Sequence, residues 1–329
     1  MPCRTLCGTV PTKERSTTVT TIKRESKFSL NIRKHGLLYL MTLPGLIYLL
    51  INNYFPMAGL VIAFKDVDFR KGLFGSDWIG FKNFEYLFAS SDAFLITRNT
   101  LLYNGIFILV NTVVAVLVAV LLADISGSKI GKFYQSSILL PYLISMVIIS
   151  YIAQAFLNTE RGFINNSILS LFGADPIKWY TEPKYWPFIL VFIKCWQQVG
   201  YLCVIYLSSI LGIDKEYYEV SYLEGATKLQ QIRFITLPLI SPTIIMMVLL
   251  SIGRIFYSDF GLFYQVPMNS GALYPATNVI DTYVYRGLMQ LGDIAMSSAA
   301  GCYQSLVGFV LVMISNLIVR KLSPENALF

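Results

Sequence analysis

Three ionisable residues stand inside apolar stretches of this chain, and they are its first candidates for chemistry. Lys194 lies in "VFIKCWQQVGY", and Arg254 and Asp259 lie in "SIGRIFYSDFGLFY". A charge at membrane depth costs at least about 2.5 kcal/mol and persists where it faces water or a partner. Arg254 and Asp259 are separated by about 7.5 Å of helical rise, so a regular helix would put them on neighbouring faces instead of in one ion pair. Two readings follow: snorkelling to the outer headgroups, or a polar pathway inside a bundle. Trp196, Gln197, Gln198 and Tyr201 follow Lys194, Tyr257 lies between Arg254 and Asp259, and Tyr142, Ser145 and Gln154 stand upstream. Aromatic faces beside amides and charges suit a sugar, which has apolar C–H faces and a rim of hydroxyls. The competing reading makes the tyrosines and tryptophan an interfacial belt and the glutamines cross-links between helices.

Other chemistry finds little support. "SGSKIGKF", Ser126 to Phe133, is the nearest approach to a phosphate loop, but Ser126 replaces its first glycine and Phe133 its magnesium-binding hydroxyl. The chain is therefore expected to bind no ATP and no metal of its own. No GxSxG, HExxH or paired-carboxylate pattern occurs. Cys3, Cys7, Cys195, Cys203 and Cys302 lack ligand spacing, and three of them sit in apolar runs as small hydrophobes. His35, the single histidine, has no companion ligand and reads as interfacial.

The 329 residues are 55% hydrophobic and 14% charged, with a mean hydropathy of +0.59, whereas soluble domains are about 25% charged. That balance is a polytopic membrane protein. The net charge of +7 comes largely from the N-terminus, which suits anionic headgroups and excludes nucleic acid as the partner. A bilayer core about 30 Å thick needs about 20 apolar helical residues. Six runs qualify: 36–64, 99–123, 133–159, 185–213, 234–262 and 294–319. Pro44 and Pro56 interrupt the first, which predicts a helix ending near Tyr54 with the remainder at the outer interface. Basic residues in both tails, from Arg4 to Lys34 and at Arg320 and Lys321, place both termini in the cytoplasm by the positive-inside rule. The loops around 124–132 and 214–233 then lie inside, and those around 65–98, 160–184 and 263–293 outside. Five Lys/Arg in the outer loop before Asn99 count against this orientation without reversing it. No cleavable leader precedes the first run, which reads as an uncleaved anchor, and residues 1–30 read as a polar, Thr-rich, mobile tail.

"EVSYLEGATKLQQIRFITLPLISP", Glu219 to Pro242, interrupts the apolar pattern on the inner side. Asp214 predicts an N-cap, Gly225 a left-handed stop, and Thr227 with Gln230 a capping box that opens a second helix ended by Pro238. The result is a helix-turn-helix elbow with apolar stripes, Tyr218 with Tyr222 and Leu229 with Ile232, that need something to pack on.

This stretch resembles the cytoplasmic EAA loop of bacterial ABC importer permeases. Glu219 stands at the family's Glu, Val220 and Ser221 replace its two alanines, Glu224 takes its usual Asp position, and Gly225, Ala226, Leu237 and Pro238 match. "WIGFKNFEYLF", "RNTLLYN", "LLPYLIS" and "YLSSILGIDKEYYEVS" are similar to the carbohydrate-uptake branch, and "LPGLIYLLINNYFPMAGLVIAFKDVDF" to permeases of polysaccharide and complex-oligosaccharide importers. The resemblance, over about Leu38 to Leu322, implies an all-α membrane protein with six transmembrane helices, the ABC type I importer permease fold, and cytoplasmic termini. It implies a basic tail over 1–35, a first helix and interfacial segment over 36–64, an outer loop over 65–96, a permease core over 97–319 with its coupling loop at 214–240, and a C-terminal tail over 320–329. The elbow, through Glu219, Glu224, Gly225, Ala226, Leu237 and Pro238, would dock in a separate ATPase subunit that carries ATP and Mg. Two such ATPases, a second homologous permease and a lipid-anchored solute-binding protein would complete a multi-pass importer in the bacterial cell membrane. The path residues, Tyr142, Gln154, Lys194, Trp196, Gln197, Gln198, Tyr201, Arg254, Tyr257 and Asp259, come from their setting in the spans and not from the family's motif. Two rivals are an ion-coupled sugar transporter, disfavoured by few membrane carboxylates and no visible paired half-helices, and a membrane enzyme acting on lipid-linked sugars, disfavoured by the lack of catalytic spacing.

Overall fold

The computed structural model describes residues 27–73 and 75–322, with side chains from Gly36 to Lys321; the greater part of the N-terminal tail and the end of the C-terminal tail lie outside the described residues. The described residues divide into two units between Ala58 and Gly59. In the first, α1 (Lys27–Leu49) runs through a π turn (Leu50–Tyr54) into the single helical turn Phe55–Met57. The expected stop near Tyr54 does not occur, because Pro56 falls in the first turn of a new segment, where no backbone donor is required. Helical structure continues to Phe64, so Gly36–Phe64 is long and apolar enough to cross a membrane.

The second unit opens with a minimal ladder, β1 (Lys65–Asp66) against β2 (Asp77–Trp78), the one sheet among the described residues. Asn83, on α2 (Lys82–Ala89), steadies the chain entering the ladder by donating to the Ala63 and Lys65 carbonyls. Then α3 (Ser91–Ala123) covers about 50 Å at 1.5 Å per residue, so it outreaches a bilayer core and starts earlier than the apolar run from Asn99.

The expected continuous third span is broken. α4 (Lys129–Leu143) and α5 (Met146–Leu157) meet at 97°. Pro141 removes a helical donor near the end of α4, Ile144 and Ser145 are extended, and the Ser145 hydroxyl accepts from Ile148 N–H to start α5 afresh. α6 (Trp186–Leu211), then the elbow helices α7 (Lys215–Leu223) and α8 (Lys228–Gln231), a π turn (Ile232–Thr236) and α9 (Leu237–Ile252) follow. Pro238 does not end the helix that starts at Lys228. The wider π turn makes room for its ring at the head of α9, and Lys228–Ile252 is one candidate span. α9 stops at Gly253, short of the expected Leu262, and residues 254–259 run as turn and coil. The loop that follows holds α10 (Ile280–Arg286), and α11 (Ile294–Leu322) closes the chain.

Among the described residues, five helices thus have the length and apolarity of spans, or six with the bent pair. α3 packs along α6, with Ala115 and Ala119 fully buried at the seam beside Cys203 and Tyr206. α4 also presses on α6, and Gly200 makes this possible: a Cβ there would run into the Ile138 carbonyl. A second apolar cluster, with Tyr103, Phe107, Ile149, Trp186 and Phe263, closes the end of the bundle away from the elbow.

Candidate transport cavity and coupling elbow

α6, α3 and the turn after α9 surround a polar cavity of about 690 Å³. Its charged groups come from two of them. Lys194, on α6, places Nζ 2.7 Å from Asp259 Oδ2, and Asp259 Oδ1 accepts from Leu262 N–H at 3.1 Å, capping the π turn that begins at Gly261. Breaking the helix at Gly253 is what lets Asp259 swing to α6, and it explains why no intrahelical pair with Arg254 forms. Arg254 also lines the cavity and is exposed there. Gln198, one turn on from Lys194, accepts from Asn111 Nδ2 at 3.2 Å. Asn104 Nδ2 donates to the Ile255 carbonyl at 2.8 Å and so holds the turn against α3.

Among the residues that line the cavity, Asn111 and Ser258 each carry a buried polar atom with no hydrogen-bond partner among the described residues. Asn111, 4% exposed, leaves Oδ1 free, and Ser258 leaves Oγ free. Buried acceptors and hydroxyls are almost always satisfied, so these two atoms are unusual features of the cavity wall. Phe107 and Tyr257 add aromatic surface.

Of the ten residues singled out from the apolar runs, the structure gathers Lys194, Gln198, Arg254, Tyr257 and Asp259 around this cavity. It places the other five elsewhere. Tyr142 stacks on Tyr201, ring centroids 4.9 Å apart, and links α4 to α6. Trp196 faces an apolar hollow with Ile152, Phe156 and Phe192, while Gln154 and Gln197 are half-buried on α5 and α6. Part of the split follows from helix geometry: Lys194 and Gln198 are one turn apart and share a face, and Trp196, two residues from Lys194, turns away from it. Asn104 and Asn111 were not picked out from the sequence. Their seven-residue spacing in an otherwise apolar helix marks one polar face and was the available signal.

The elbow is built largely as its residues demand. Asp214 accepts from Glu216 N–H. Gly225 has φ +82°, with Ala226 N–H bonded to the Ser221 carbonyl and Gly225 N–H to the Tyr222 carbonyl, the paired bonds of a Schellman stop. Thr227 and Gln230 form the capping box. Gln231 then ties the two helices, donating to the Tyr218 carbonyl and the Ser221 hydroxyl. Tyr218 is turned inward and bonds Thr236 at 2.9 Å, so it is not part of an outer stripe. Exposed apolar side chains on the elbow include Tyr217, Val220, Tyr222, Leu223, Leu229 and Phe234. Glu219 and Glu224 are exposed beside them.

The region read as an outer loop, 263–293, holds two further charged groups shielded from solvent, Arg286 buried and Asp281 half-buried. Arg286, 8% exposed, stacks on Tyr274 and donates to Asn269, Asn278 and Thr282. Asp281 accepts from Ser258 N–H and Gln304 Nε2 at 2.7 and 3.1 Å. Burial pushes the Asp281 carboxyl pKa up and the Arg286 pKa down.

Residues 115–324 match the family described as binding-protein-dependent transport system inner membrane component. The chain is 33% identical to the polygalacturonan/rhamnogalacturonan transport system permease protein YteP of Bacillus subtilis, covering 92% of this chain and 94% of YteP. It is 31% identical to protein LplB of the same organism, over 97% and 99% of the two chains. A crystal structure of a bacterial ABC transporter involved in the import of the acidic polysaccharide alginate superposes with a TM-score of 0.82 at 31% identity, covering 90% of this chain and 99% of that one. The same transporter type has also been solved in complex with an alginate pentasaccharide-bound periplasmic protein, at a TM-score of 0.81. Broken third span, glycine-cornered elbow and polar cavity thus sit in a chain that belongs to the inner membrane components of binding-protein-dependent transport systems, as a multi-pass permease subunit of an ABC importer.

Proposed function

We propose that the chain carries an oligosaccharide or glycan fragment into the cell through the cavity bounded by Asn111, Lys194, Gln198, Arg254, Ser258 and Asp259. The observation that carries this reading is a space of about 690 Å³ lined by amide, hydroxyl and charged residues beside the aromatic residues Phe107 and Tyr257, which fits hydroxyl-rich cargo. The names of the relatives, a polygalacturonan/rhamnogalacturonan permease and an alginate importer, support it.

Transport would be driven from the elbow. Tyr222, Leu223 and Leu229 offer apolar surface with no cover, and Glu219 and Glu224 offer charge, to a separate ATPase subunit on the cytoplasmic side, where both tails would also lie. Two ATPases carrying ATP and Mg, a second homologous permease and a lipid-anchored solute-binding protein complete the assembly, and this chain binds no nucleotide itself. The test is reconstitution of the assembly purified from its native membrane. Sugar uptake that needs ATP and no ion gradient, with an ATPase and a second permease co-purifying, supports the reading. Uptake driven by a proton or sodium gradient without ATP overturns it.

A further inference from the structure

From Lys215 to Thr236 the elbow buries two side chains, and both are polar. Gln231 is 6% exposed and Thr236 3%, while α7 contributes no buried residue. An apolar core is therefore not what sets the angle between α7 and α8. Hydrogen bonds set it. Gln231 Nε2, at the end of α8, donates to Ser221 Oγ at 2.9 Å and to the Tyr218 carbonyl at 3.3 Å, both on α7. Ser221 Oγ in turn donates to the Tyr218 carbonyl at 2.9 Å. Tyr218 OH meets Thr236 Oγ1 at 2.9 Å, which carries the tie past the π turn to the residue that precedes α9.

Little else holds that angle. The covalent route between the two helices runs through the exposed Gly225 and Ala226, and the Lys228–Asp124 ion pair has both side chains more than half exposed, where such pairs contribute little. Apolar burial is non-directional and tolerates sliding, whereas hydrogen bonds weaken steeply as their angles open. A buried amide stranded by such opening loses its bonds and is not repaid by water. The polar knot therefore penalises a change of angle that an apolar contact would accept.

We propose that Gln231, Tyr218 and Thr236 are positioning residues for transport: they lock α7, α8 and the head of α9 at one angle, so that displacement of the elbow by its ATPase reaches α6 and α9 together. This rests on the reading that the elbow receives an ATPase, and goes beyond it by naming inward groups, of which Gln231 and Thr236 are too buried to be the docking surface. Losing the knot leaves docking in place and lets ATP be hydrolysed without transport.

The experiment uses the assembly purified from its native membrane and reconstituted in vesicles with its binding protein. The probe is a mixture of oligosaccharides from polygalacturonan, rhamnogalacturonan and alginate digests. Uptake and ATP hydrolysis are recorded on the same vesicles, and their ratio is the readout. Gln231→Leu, Tyr218→Phe and Thr236→Val should keep the ATPase bound and raise the ATP consumed per sugar about three- to tenfold, the range expected for the loss of a net hydrogen bond. Tyr218→Phe combined with Thr236→Val should do no more than either alone, since both remove the same bond. Thr236→Ser, which keeps the hydroxyl, should keep the wild-type ratio. An unchanged ratio in all three single variants would overturn the inference and leave the elbow reading standing. So would hydrolysis and uptake falling in proportion, with Thr236→Ser no better than Thr236→Val, which is the mark of a merely structural role. Wild-type uptake that needs no ATP would sink the elbow reading, and this inference with it.

Discussion

Lys194 and Asp259 lie 65 positions apart in the chain and meet at 2.7 Å, each largely shielded from solvent, so each supplies the counter-charge the other needs. Removing one partner should cost more than removing both. Lys194→Met or Asp259→Leu alone should lower stability in detergent by about 1–3 kcal/mol, less than the 3–5 typical of a fully buried pair because the cavity admits water. The double variant should recover part of that loss. A thermal-unfolding double-mutant cycle measures the coupling, and additive losses would mean that the pair does not interact.

Gly225 sits at φ +82°, a conformation closed to proline and strained by about 1–2 kcal/mol for other residues. Gly225→Pro should therefore leave the chain inserted and abolish uptake, because the Schellman bonds that aim α8 are lost. Glu219→Lys should do the same through charge alone. Normal uptake by both variants at matched expression would remove the elbow from the transport mechanism.

Leu223 and Leu229 are 85% and 74% exposed, so neither contributes much to the packing of this chain. Leu223→Asp with Leu229→Asp should shift its unfolding temperature little and release the ATPase during purification. Retention of a stoichiometric ATPase by the double variant would place the docking surface elsewhere.

Asp281 gives a pH signature. Because burial raises its pKa, the folded chain holds this proton more tightly than the unfolded chain does. Its contribution to stability is then fullest below the unfolded carboxylate value of about 4 and falls as pH rises toward the displaced value. Asp281→Asn, keeping one oxygen for Ser258 and Gln304, should remove that pH dependence and gain stability on the wild type as pH rises. Asp281→Ala should lose about 1–3 kcal/mol at any pH by stranding both donors. Melting curves between pH 4.5 and 8 distinguish these outcomes.

Gly200 sets how closely α4 and α6 approach. Gly200→Ala should destabilise by about 1–3 kcal/mol, and Gly200→Val by more, since the obstacle is the rigid carbonyl of Ile138. Unchanged melting of the alanine variant would show that the two helices can part freely.

The spans and elbow caps were legible because each follows from local rules: run length, an Asp or Thr N-cap, a glycine stop. Pro238 and Pro56 misled because proline breaks a helix only where its missing donor and its ring have no accommodation, and a π turn or a first turn supplies it. The 97° break after Pro141 depended on the Ser145 cap as well, a combination that apolarity alone hides. Lys194, Arg254 and Asp259 were visible as charges in apolar runs, but their partners were not. Which of them pair depends on where α9 stops and how the chain after Gly253 folds back, and that is fixed by Asn104 from a different helix. Arg286 and Asp281 escaped notice because they lie in a polar connecting region, where sequence gives no sign that a charge is shielded from solvent.

α6 and α9 are joined by the elbow at one end and stitched by Ser209 Oγ donating to Thr243 Oγ1 at 3.0 Å nearby, and toward the opposite end Lys194 on α6 holds Asp259 in the segment that follows α9. A hairpin fastened at top, bottom and shoulder resists scissoring. Torque applied at its bend will rotate it like a stiff strut, and the chamber wall it forms will tilt in one piece instead of buckling.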